Sequence, residues 1–515
     1  MNLFIRKNLI LLITLAVILV LFIGAAQGMD QQDFVITLLR GLAVGSITFL
    51  VASGFSLIFG LLDVLNLAHG TLFMIGAYIG WTVFVRPDTF VDLLTPIALT
   101  LSGFALRDVY PLLATRVRLG LRMKWILPWA LILISLLLFG FILPRYPIAI
   151  WNVENYGQSP VTFAFMASQG TRLSVTPAVF TEISPVFAWI GLLLASFLIA
   201  FALFLFSNET QQTPRLSLKS FVGFILLLMI AVLGFVFNDA LTNFLLHLNS
   251  NWLFLISVVV AVLSGLGLGA LMESILIRPL YSRPIYQLML TLGLSAIGIE
   301  MVRAIWGRPE FVMPKPTFFD GSGEGCPATS FASWWAHHCS TILLWDGRVR
   351  VYNEIFIPLV GVVVLISIWL LLQRTRLGMV IRAGVQDREM VEALGINVRR
   401  VFTMVFALGV GLAALGGVLA APSSGLSNVM GESLFLNALI ALAIGGLTNY
   451  PGAALGSVLV GLIQQFIIKY GQIGINIPFT DAVFKPSPPL VPASTVLLMV
   501  IILLVLPNGL LGKKE

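Results

Sequence analysis

Three polar residues near the start of the chain, Asp63, Asn66 and His69, have side chains that could do chemistry. They interrupt two apolar runs, and ionisable groups at membrane depth cost enough free energy to be candidates for a functional site. A carboxylate and an imidazole placed there could bind a polar solute or act as acid and base. A plain cytoplasmic turn between two helices would explain the same residues, so both interpretations stay open.

An enzymatic role for this polar trio is the weaker hypothesis. The chain has four histidines, and they stand at no metal-binding spacing and with no nucleophile and base set at one membrane depth. The sequence also lacks a phosphate-binding loop of the GxxxxGK(S/T) type, so this chain cannot carry out ATP chemistry itself. We therefore expect no catalytic residue, no metal and no cofactor bound by this chain.

A second candidate site is the basic polar stretch 373–400, which separates two apolar segments. Asp387 can accept hydrogen bonds from the free N–H groups of a helix start, and Gly395 can take the left-handed conformation that ends a helix. A helix of about 10 Å between them is too short to span a bilayer. Its predicted apolar face, which would need a groove, consists of Met390, Val391 and Leu394. A solvated cytoplasmic loop that packs on its own helix ends is the alternative.

The composition of the chain indicates which kind of secondary structure holds these residues. Hydrophobic residues make up 58% of the 515 residues and charged residues 10%, and the mean hydropathy is +1.00. Such a chain is not a soluble globular protein, and its repeated apolar runs predict an all-α, polytopic transmembrane helical bundle. Counting runs near twenty residues gives about 12 to 14 membrane segments, of which the shorter ones could be re-entrant.

Lys and Arg predict the orientation of the bundle. With the N-terminus placed inside, the inner loops carry most of these residues, which is the asymmetry of the positive-inside rule, and an even number of passages puts both termini in the cytoplasm. The formal charge of +7 is therefore a topology signal. It does not indicate nucleic-acid binding, because no basic patch is interleaved with exposed aromatic residues.

Both cysteines, Cys326 and Cys339, fall in one predicted outer loop. The outer compartment is oxidising, so a disulfide that closes this small loop is the leading prediction. A metal site with His337 and His338 is the alternative, although no ligand pair has a recognised finger spacing. In the same loop, Asp346-Gly347 between alternating residues predicts a β-hairpin. The loop could meet a soluble partner or only cover helix ends.

Five segments in chain order resemble the permease subunits of branched-chain amino-acid ABC importers. They are NLAHGTLFMIGAY (66–78), IRPLYSRP (277–284), RAGVQDREMVEALGIN (382–397), GGLTNYPGAALG (445–456) and LPNGLLG (506–512). Each segment alone is a weak signal, but five in order are a strong one. The likeness covers roughly 36–85, 252–306 and 374–512.

The resemblance implies a role for the polar stretch. In that family, the segment that is similar to 382–397 is a cytoplasmic loop whose short helix docks on the ATP-binding subunit. The residues that this likeness assigns to the ATPase-coupling loop are Arg382, Asp387, Glu389, Met390, Glu392, Ala393, Gly395 and Ile396. For the substrate path, Asp63, Asn66 and His69 remain the candidates.

The resemblance also implies a domain layout. Residues 1–85 form N-terminal membrane helices with the NLAHG sequence, and 86–251 form an inserted hydrophobic subdomain without an assigned role. Residues 252–515 form the permease core, with an outer loop at 307–354 and the coupling loop at 374–400. Residues 1–28 fit either a retained first helix or a cleaved signal peptide.

Function and partners follow from the same resemblance. We expect a multi-pass subunit of the bacterial inner (plasma) membrane that imports branched-chain or other hydrophobic amino acids. Its expected partners are ABC ATP-binding subunits that hydrolyse ATP, a second homologous permease subunit, a periplasmic or extracellular solute-binding protein, and membrane lipid. A urea or short-amide permease and a non-transporting membrane scaffold are the alternatives, and an intact coupling loop argues against the scaffold.

Overall fold

The structure is a computed structural model. It describes residues 20, 23–24, 28–106, 108–116, 121–148, 179–206, 218–307, 310–345, 347–386, 388–476 and 483–512. These residues fall into two compact units, one formed by Met1–Trp81 and Ser250–Glu515 and the other by Thr82–Asn249. The predicted insertion at 86–251 overlaps the second unit.

The structure is all-α apart from short hairpins, as predicted. In chain order the helices are α1 Gln31–Leu62, α2 His69–Val85, α3 Pro87–Ala105, α4 Tyr110–Arg116, α5 Leu121–Ile142, α6 Pro185–Phe206, α7 Leu218–Val236, α8 Asn238–His247 and α9 Ser250–Leu271. They continue with α10 Pro284–Trp306, α11 Phe331–His337, α12 Ile357–Arg374, α13 Arg376–Gln386, α14 Arg388–Ala393, α15 Val398–Ser424, α16 Met430–Gly445, α17 Tyr450–Ile473 and α18 Leu490–Val505. The strands are β1 Thr341–Leu344, β2 Gly347–Arg350, β3 Ile475–Asn476 and β4 Val483–Phe484.

Eight helical segments of the described chain are long and apolar enough to cross a membrane, or up to nine if a bent pair counts as one. The bent pair is α7 with α8, which meet at 75°. Three further apolar helices, α2, α16 and α18, are shorter and are not counted among these spans. The sequence predicts 12 to 14 segments, and its first, near the N-terminus, lies almost entirely outside the described residues. These features fit a polytopic helical membrane protein.

The first unit is built around α1 and α15. These two are its most buried candidate spans, with 78% and 83% of their most apolar windows buried. The helix α1 packs against α15, α16 and α17, and α15 also packs along α9. The other long helices expose apolar side chains, such as Leu292 on α10 and Leu359 on α12, as helices that face lipid do.

Glycine allows the central helices to touch. Lipid tails offer no hydrophobic contrast, so membrane helices associate by close backbone packing at small residues. A Cβ atom on Gly461 of α17 would overlap the backbone of Gly41 and Gly45 on α1. In the same way, Gly265 and Gly269 of α9, which are four residues apart, lie against α15, whereas Gly267 faces open space.

The second unit centres on α3, against which α6, α7 and α8 pack, while α5 packs on α6. Buried hydroxyls join the helices: Thr95 donates to the carbonyl of Ala231 at 3.0 Å, and Ser135 donates to that of Ala195 at 2.7 Å. At one end Arg86, which is 2% exposed, pairs with Asp88 at 2.8 Å.

The predicted outer loop contains α11 and the antiparallel hairpin β1–β2. The hairpin is present, but Gly347 pairs with Leu344 and so belongs to a strand and not to the turn, in contrast to the prediction. The other predicted turn residue, Asp346, lies outside the described residues. A disulfide joins Cys326 to Cys339, with their Cα atoms 5.5 Å apart. The side chain of Glu354 after the hairpin accepts from Arg40 of α1 at 3.0 Å and from the backbone N–H of Arg350 at 2.7 Å. These bonds tie the hairpin to α1.

The backbone contact of α17 with α1 predicts a strong asymmetry between two glycine substitutions. Gly461→Leu should destabilise the folded protein by about 2 kcal/mol or more, because backbone atoms of α1 cannot move aside as a side chain can. Gly267→Leu adds the same side chain to a helix where nothing lies within 4 Å, and should change stability little. Thermal unfolding of the purified variants measures both, and equal losses would contradict the packing described.

Candidate functional site

The coupling stretch forms three helical pieces. The helix α13 is followed by the six-residue α14 and, after a turn, by α15. Gly395 has φ +80°, the left-handed conformation that ends a helix. Its N–H bonds the carbonyl of Glu392 at 3.0 Å, and the N–H of Ile396 bonds that of Val391 at 3.3 Å. Asp387 lies outside the described residues, as does the side chain of Glu389 within α14.

Met390 and Val391 of α14 and Leu394, which follows it, do not share one environment, in contrast to the prediction. Val391 is 4% exposed, whereas Met390 is 59% and Leu394 is 72% exposed. Successive helical residues are rotated by about 100°, which would put residue 394 about 40° from residue 390 and about 60° from residue 391. The helix period alone therefore does not separate the three residues, and the neighbouring elements decide which of them is buried. The short helix therefore has an inner anchor and an outer apolar face.

Val391 anchors the coupling stretch in a small apolar cluster. Its buried partners are Val398 and Phe402 at the start of α15, with Ile396 packed at the edge. Leu62 at the end of α1, Tyr281 between α9 and α10, and two residues of α13, Val380 and Ala383, also pack against the cluster. The ring of Tyr281 meets that of Phe402 edge to face, with centroids 6.1 Å apart. The cluster that holds α14 is thus built from α1, α13, α15 and the stretch between α9 and α10.

The remaining predicted coupling residues lie on the outer side of this stretch. Glu392, Ala393 and Gly395 are exposed. Arg382 of α13 donates to the side-chain oxygen of Gln373 at 2.7 Å, which braces α13 against the end of α12. The side chain of Asn397 accepts from the N–H of Arg400 at 3.2 Å and so caps the start of α15.

A buried carboxylate cluster beside the coupling stretch was missed by reasoning from the sequence. Glu273 is 0% exposed and lies in the π-helical turn Met272–Ile277 that continues α9. Arg278 donates to its two oxygens at 3.2 and 2.7 Å. The hydroxyls of Tyr281 and Thr403 reach the same oxygens at 2.8 and 2.6 Å. An acidic residue in an apolar run, five residues before an arginine, was the available signal.

The polar trio near the N-terminus is divided by the fold. Asp63 is exposed at the end of α1, where its φ is +54°. Asn66 and His69 are both 0% exposed. The ring Nε2 of His69 lies 3.1 Å from the carbonyl oxygen of Val51. Within the described chain, no side-chain hydrogen bond joins Asp63 to the other two.

The interior pair keeps unused hydrogen-bonding capacity. Asn66 accepts from the N–H of Ala68 at 3.1 Å through Oδ1. Its Nδ2 atom and the Nδ1 atom of His69 are buried without a hydrogen-bond partner in the described part of the chain. Buried polar atoms normally have partners. Asn66 and His69 are therefore better placed than Asp63 to contact a solute within the helical bundle.

A separate apolar cavity of about 430 Å³ has neither Asn66 nor His69 in its lining. It lies between α2, α9 and α10, and its lining includes Ala68, Thr71, Ile75, Leu268, Met272 and Leu294. At its edge, Thr71 and Ser295 are hydrogen-bonded at 2.6 Å. Thr291 of α10 accepts from the N–H of Leu67 at 3.2 Å. The cavity can take an apolar group next to a few hydroxyls.

The outer loop has its own electrostatics. Burial and the nearby Arg350 lower the pKa of Lys315, an effect that Asp320 and Glu354 oppose. Burial raises the pKa of Asp320, and Lys315 opposes this. In the part of the chain that the structure describes, no three His, Cys, Asp or Glu side chains lie close enough to hold a metal ion.

Comparison with known proteins decides the family. The family model described as branched-chain amino acid transport system, permease component, matches residues 222–506, more than half of the chain. The chain belongs to this family. It is a permease component of the ABC transport class and a multi-pass membrane protein. No solved structure matches it.

Curated relatives of the permease include amino-acid and sugar proteins. The chain is 31% identical over 171 residues to the high-affinity branched-chain amino acid transport system permease protein BraD of Pseudomonas aeruginosa, covering 33% of this chain and 51% of that protein. It is 28% identical over 152 residues to LivH of Escherichia coli, covering 29% and 44%. It is 30% identical over 133 residues to the fructose import permease protein FruF of Bifidobacterium longum, covering 24% and 36%. The permease thus spans about half the length of the curated relatives it matches.

The inner anchor of α14 gives a test of the site. Val391→Asp places a charge in the apolar cluster, and we expect it to release α14, raising amide hydrogen exchange across 388–396 by about tenfold or more. Met390→Asp makes the same change on the exposed side and should leave exchange unchanged. Hydrogen-exchange mass spectrometry measures both variants, and equal protection would contradict the assignment of Val391 as the anchor.

Proposed function

We propose that this permease component is the membrane-spanning subunit of an ABC importer that carries branched-chain or other hydrophobic amino acids across the bacterial inner membrane. The observation that carries the proposal is the coupling stretch. Its short helix is held by a buried Val391 and offers Met390 and Leu394 outward. A short helix that is fixed on one side and apolar on the other is suited to dock in a groove of a partner.

The partners belong to the same proposal. ATP-binding subunits would bind the outer face of α14 and hydrolyse ATP, since this chain has no phosphate-binding loop. A second homologous permease subunit and an external solute-binding protein would complete the importer. We place the coupling stretch and both termini in the cytoplasm, and the disulfide-closed loop on the oxidising side.

The choice of solute rests on the cavity and on the relatives' names. The apolar cavity between α2, α9 and α10 suits an aliphatic side chain, because burying sugar hydroxyls against carbon would leave them without hydrogen bonds. BraD and LivH are named for branched-chain amino acids. FruF and the permease MglC of Haemophilus influenzae, which is 27% identical over 175 residues, are named for fructose and galactose. Sugar import is therefore the second candidate.

ATP-dependent uptake in vesicles tests this function. Vesicles that hold the chain with its ATP-binding, permease and solute-binding partners should accumulate labelled leucine when ATP is supplied. Gly395→Pro should abolish uptake, because proline fixes φ near −65° and cannot adopt the conformation of Gly395. Gly395→Asn is the matched control, since asparagine tolerates the left-handed region and nothing lies within 4 Å of this position.

The other labelled solutes separate the remaining interpretations. Uptake of fructose or urea in place of leucine would contradict amino-acid import, but it would still show that the complex is an importer. Binding of the ATPase subunits without transport of any solute would favour a scaffold. Equal uptake by the proline variant and the unmodified chain would contradict the role of the coupling turn.

A further inference from the structure

A buried carboxylate lies near the inner end of a candidate membrane span. Glu273 falls in the candidate span Ser250–Leu280 and is 0% exposed. Ionisable residues inside membrane spans are rare and are generally paired. A carboxylate retained at such a position indicates a task beyond packing, since an apolar residue would fill the same space without the cost of desolvation.

Four polar contacts surround this carboxylate. An ionised carboxylate offers about four lone-pair positions. Oε1 accepts from Nε of Arg278 at 3.2 Å and from the hydroxyl of Tyr281 at 2.8 Å. Oε2 accepts from Nη2 of Arg278 at 2.7 Å and lies 2.6 Å from the hydroxyl of Thr403. The same Nη2 is 2.6 Å from Thr403, so the three groups close a ring around Oε2.

The partners of Glu273 come from two different parts of the chain. Arg278 and Tyr281 follow α9, whereas Thr403 is 130 residues away in α15. The side chain of Tyr281 makes two contacts. Its hydroxyl binds the carboxylate, and its ring packs on Phe402 in the apolar cluster that holds Val391. The carboxylate thus connects the inner end of α9 with the coupling stretch.

The two helices are also joined deeper in the bundle. Gly265 and Gly269 of α9 lie against Ala414 and Val410 of α15. Two attachments, one between backbones and one through a multidentate ion pair, prevent α9 from sliding or rotating along α15. A π-helical turn at Met272–Ile277 brings Glu273 into the contact, and such turns frequently occur at functional sites.

We propose that Glu273 is a positioning residue, which clamps α9 to the start of α15 so that a displacement of the coupling stretch moves both helices together. The transport part of this inference rests on the proposed importer function. The mechanical part does not. When α14 is moved by a partner, α15 follows because it begins directly after the turn, and α9 follows because Glu273 holds Thr403 and Tyr281.

Spin-label distances test the clamp in the chain alone. The two native cysteines form a disulfide, so labels attach only to the engineered Leu271→Cys on α9 and Met390→Cys on α14, both exposed positions. The full-length protein in lipid nanodiscs should give one narrow distance distribution. Adding Glu273→Gln should broaden it. Glu300→Gln is the matched control, because Glu300 pairs with Arg303 at 2.6 Å but is 67% exposed.

Uptake per ATP hydrolysed tests the role of the clamp in coupling. In the assembled importer, Glu273→Gln should still bind the ATP-binding subunits, but uptake per ATP should fall by about tenfold. Tyr281→Phe removes one of the hydrogen bonds and keeps the ion pair, so an intermediate loss is expected even if Glu273→Gln folds poorly. Glu300→Gln should keep the ratio of the unmodified protein.

The outcomes separate the two proposals. An unchanged distance distribution in Glu273→Gln and Tyr281→Phe overturns the clamp. A broadened distribution with unchanged uptake per ATP overturns its role in coupling and leaves a purely structural ion pair. A broadened distribution in a protein that transports no tested solute supports the clamp and contradicts the proposed function.

Discussion

The packing of α15 is the constraint on which the rest of the structure depends. This helix has the highest buried share among the candidate spans, 83%, and lies against both α1 and α9. Its contacts are made largely between backbones, as where Gly409 meets Gly54 of α1. Helices packed in this way behave as rigid bodies, because protein interiors are dense and have little room for adjustment. A displacement applied to one end of α15 must therefore reach the centre of the bundle.

The coupling stretch is placed where such a displacement would enter. The turn at Gly395 leads directly to Asn397, which caps α15. Val391 holds α14 against the first turns of α15, and Met390 and Leu394 remain outside. In the proposed importer, the division of α14 into an anchored and an exposed side would let a helix of six residues transmit motion without a core of its own.

Buried ion pairs attach parts of the chain to one another in addition to the apolar packing. Breaking a buried ion pair by removing one partner typically costs about 3–5 kcal/mol, whereas an exposed pair contributes about 0–1 kcal/mol. Glu273 with Arg278 belongs to the first kind, and Glu300 with Arg303 is close to the second. Glu354, 1% exposed, similarly holds Arg40 and the outer hairpin. Both buried carboxylates lie near the end of a membrane helix and join it to a connecting loop.

Much of the fold could be predicted from local sequence. Apolar runs identify the long helices, and the coupling turn follows from Gly395. Burial within the short helix could not be predicted, because Met390, Val391 and Leu394 are all apolar and only the position of Phe402 and Tyr281 decides which one is inside. In the sequence, Arg40 is an isolated charge in an apolar run. Its partner Glu354 is 314 residues away and lies beside its side chain only in the folded protein.

Site-specific photocross-linking of α14 tests the central claim most directly. The native cysteines are joined, so single variants at 390, 391 and 394 can carry a thiol-linked photoreactive group in the assembled complex. Met390→Cys and Leu394→Cys should cross-link to an ATP-binding subunit, and Val391→Cys should not. Absence of cross-links from both exposed positions, in a complex whose ATP-binding subunits remain bound, would show that the partner docks elsewhere and would contradict the account.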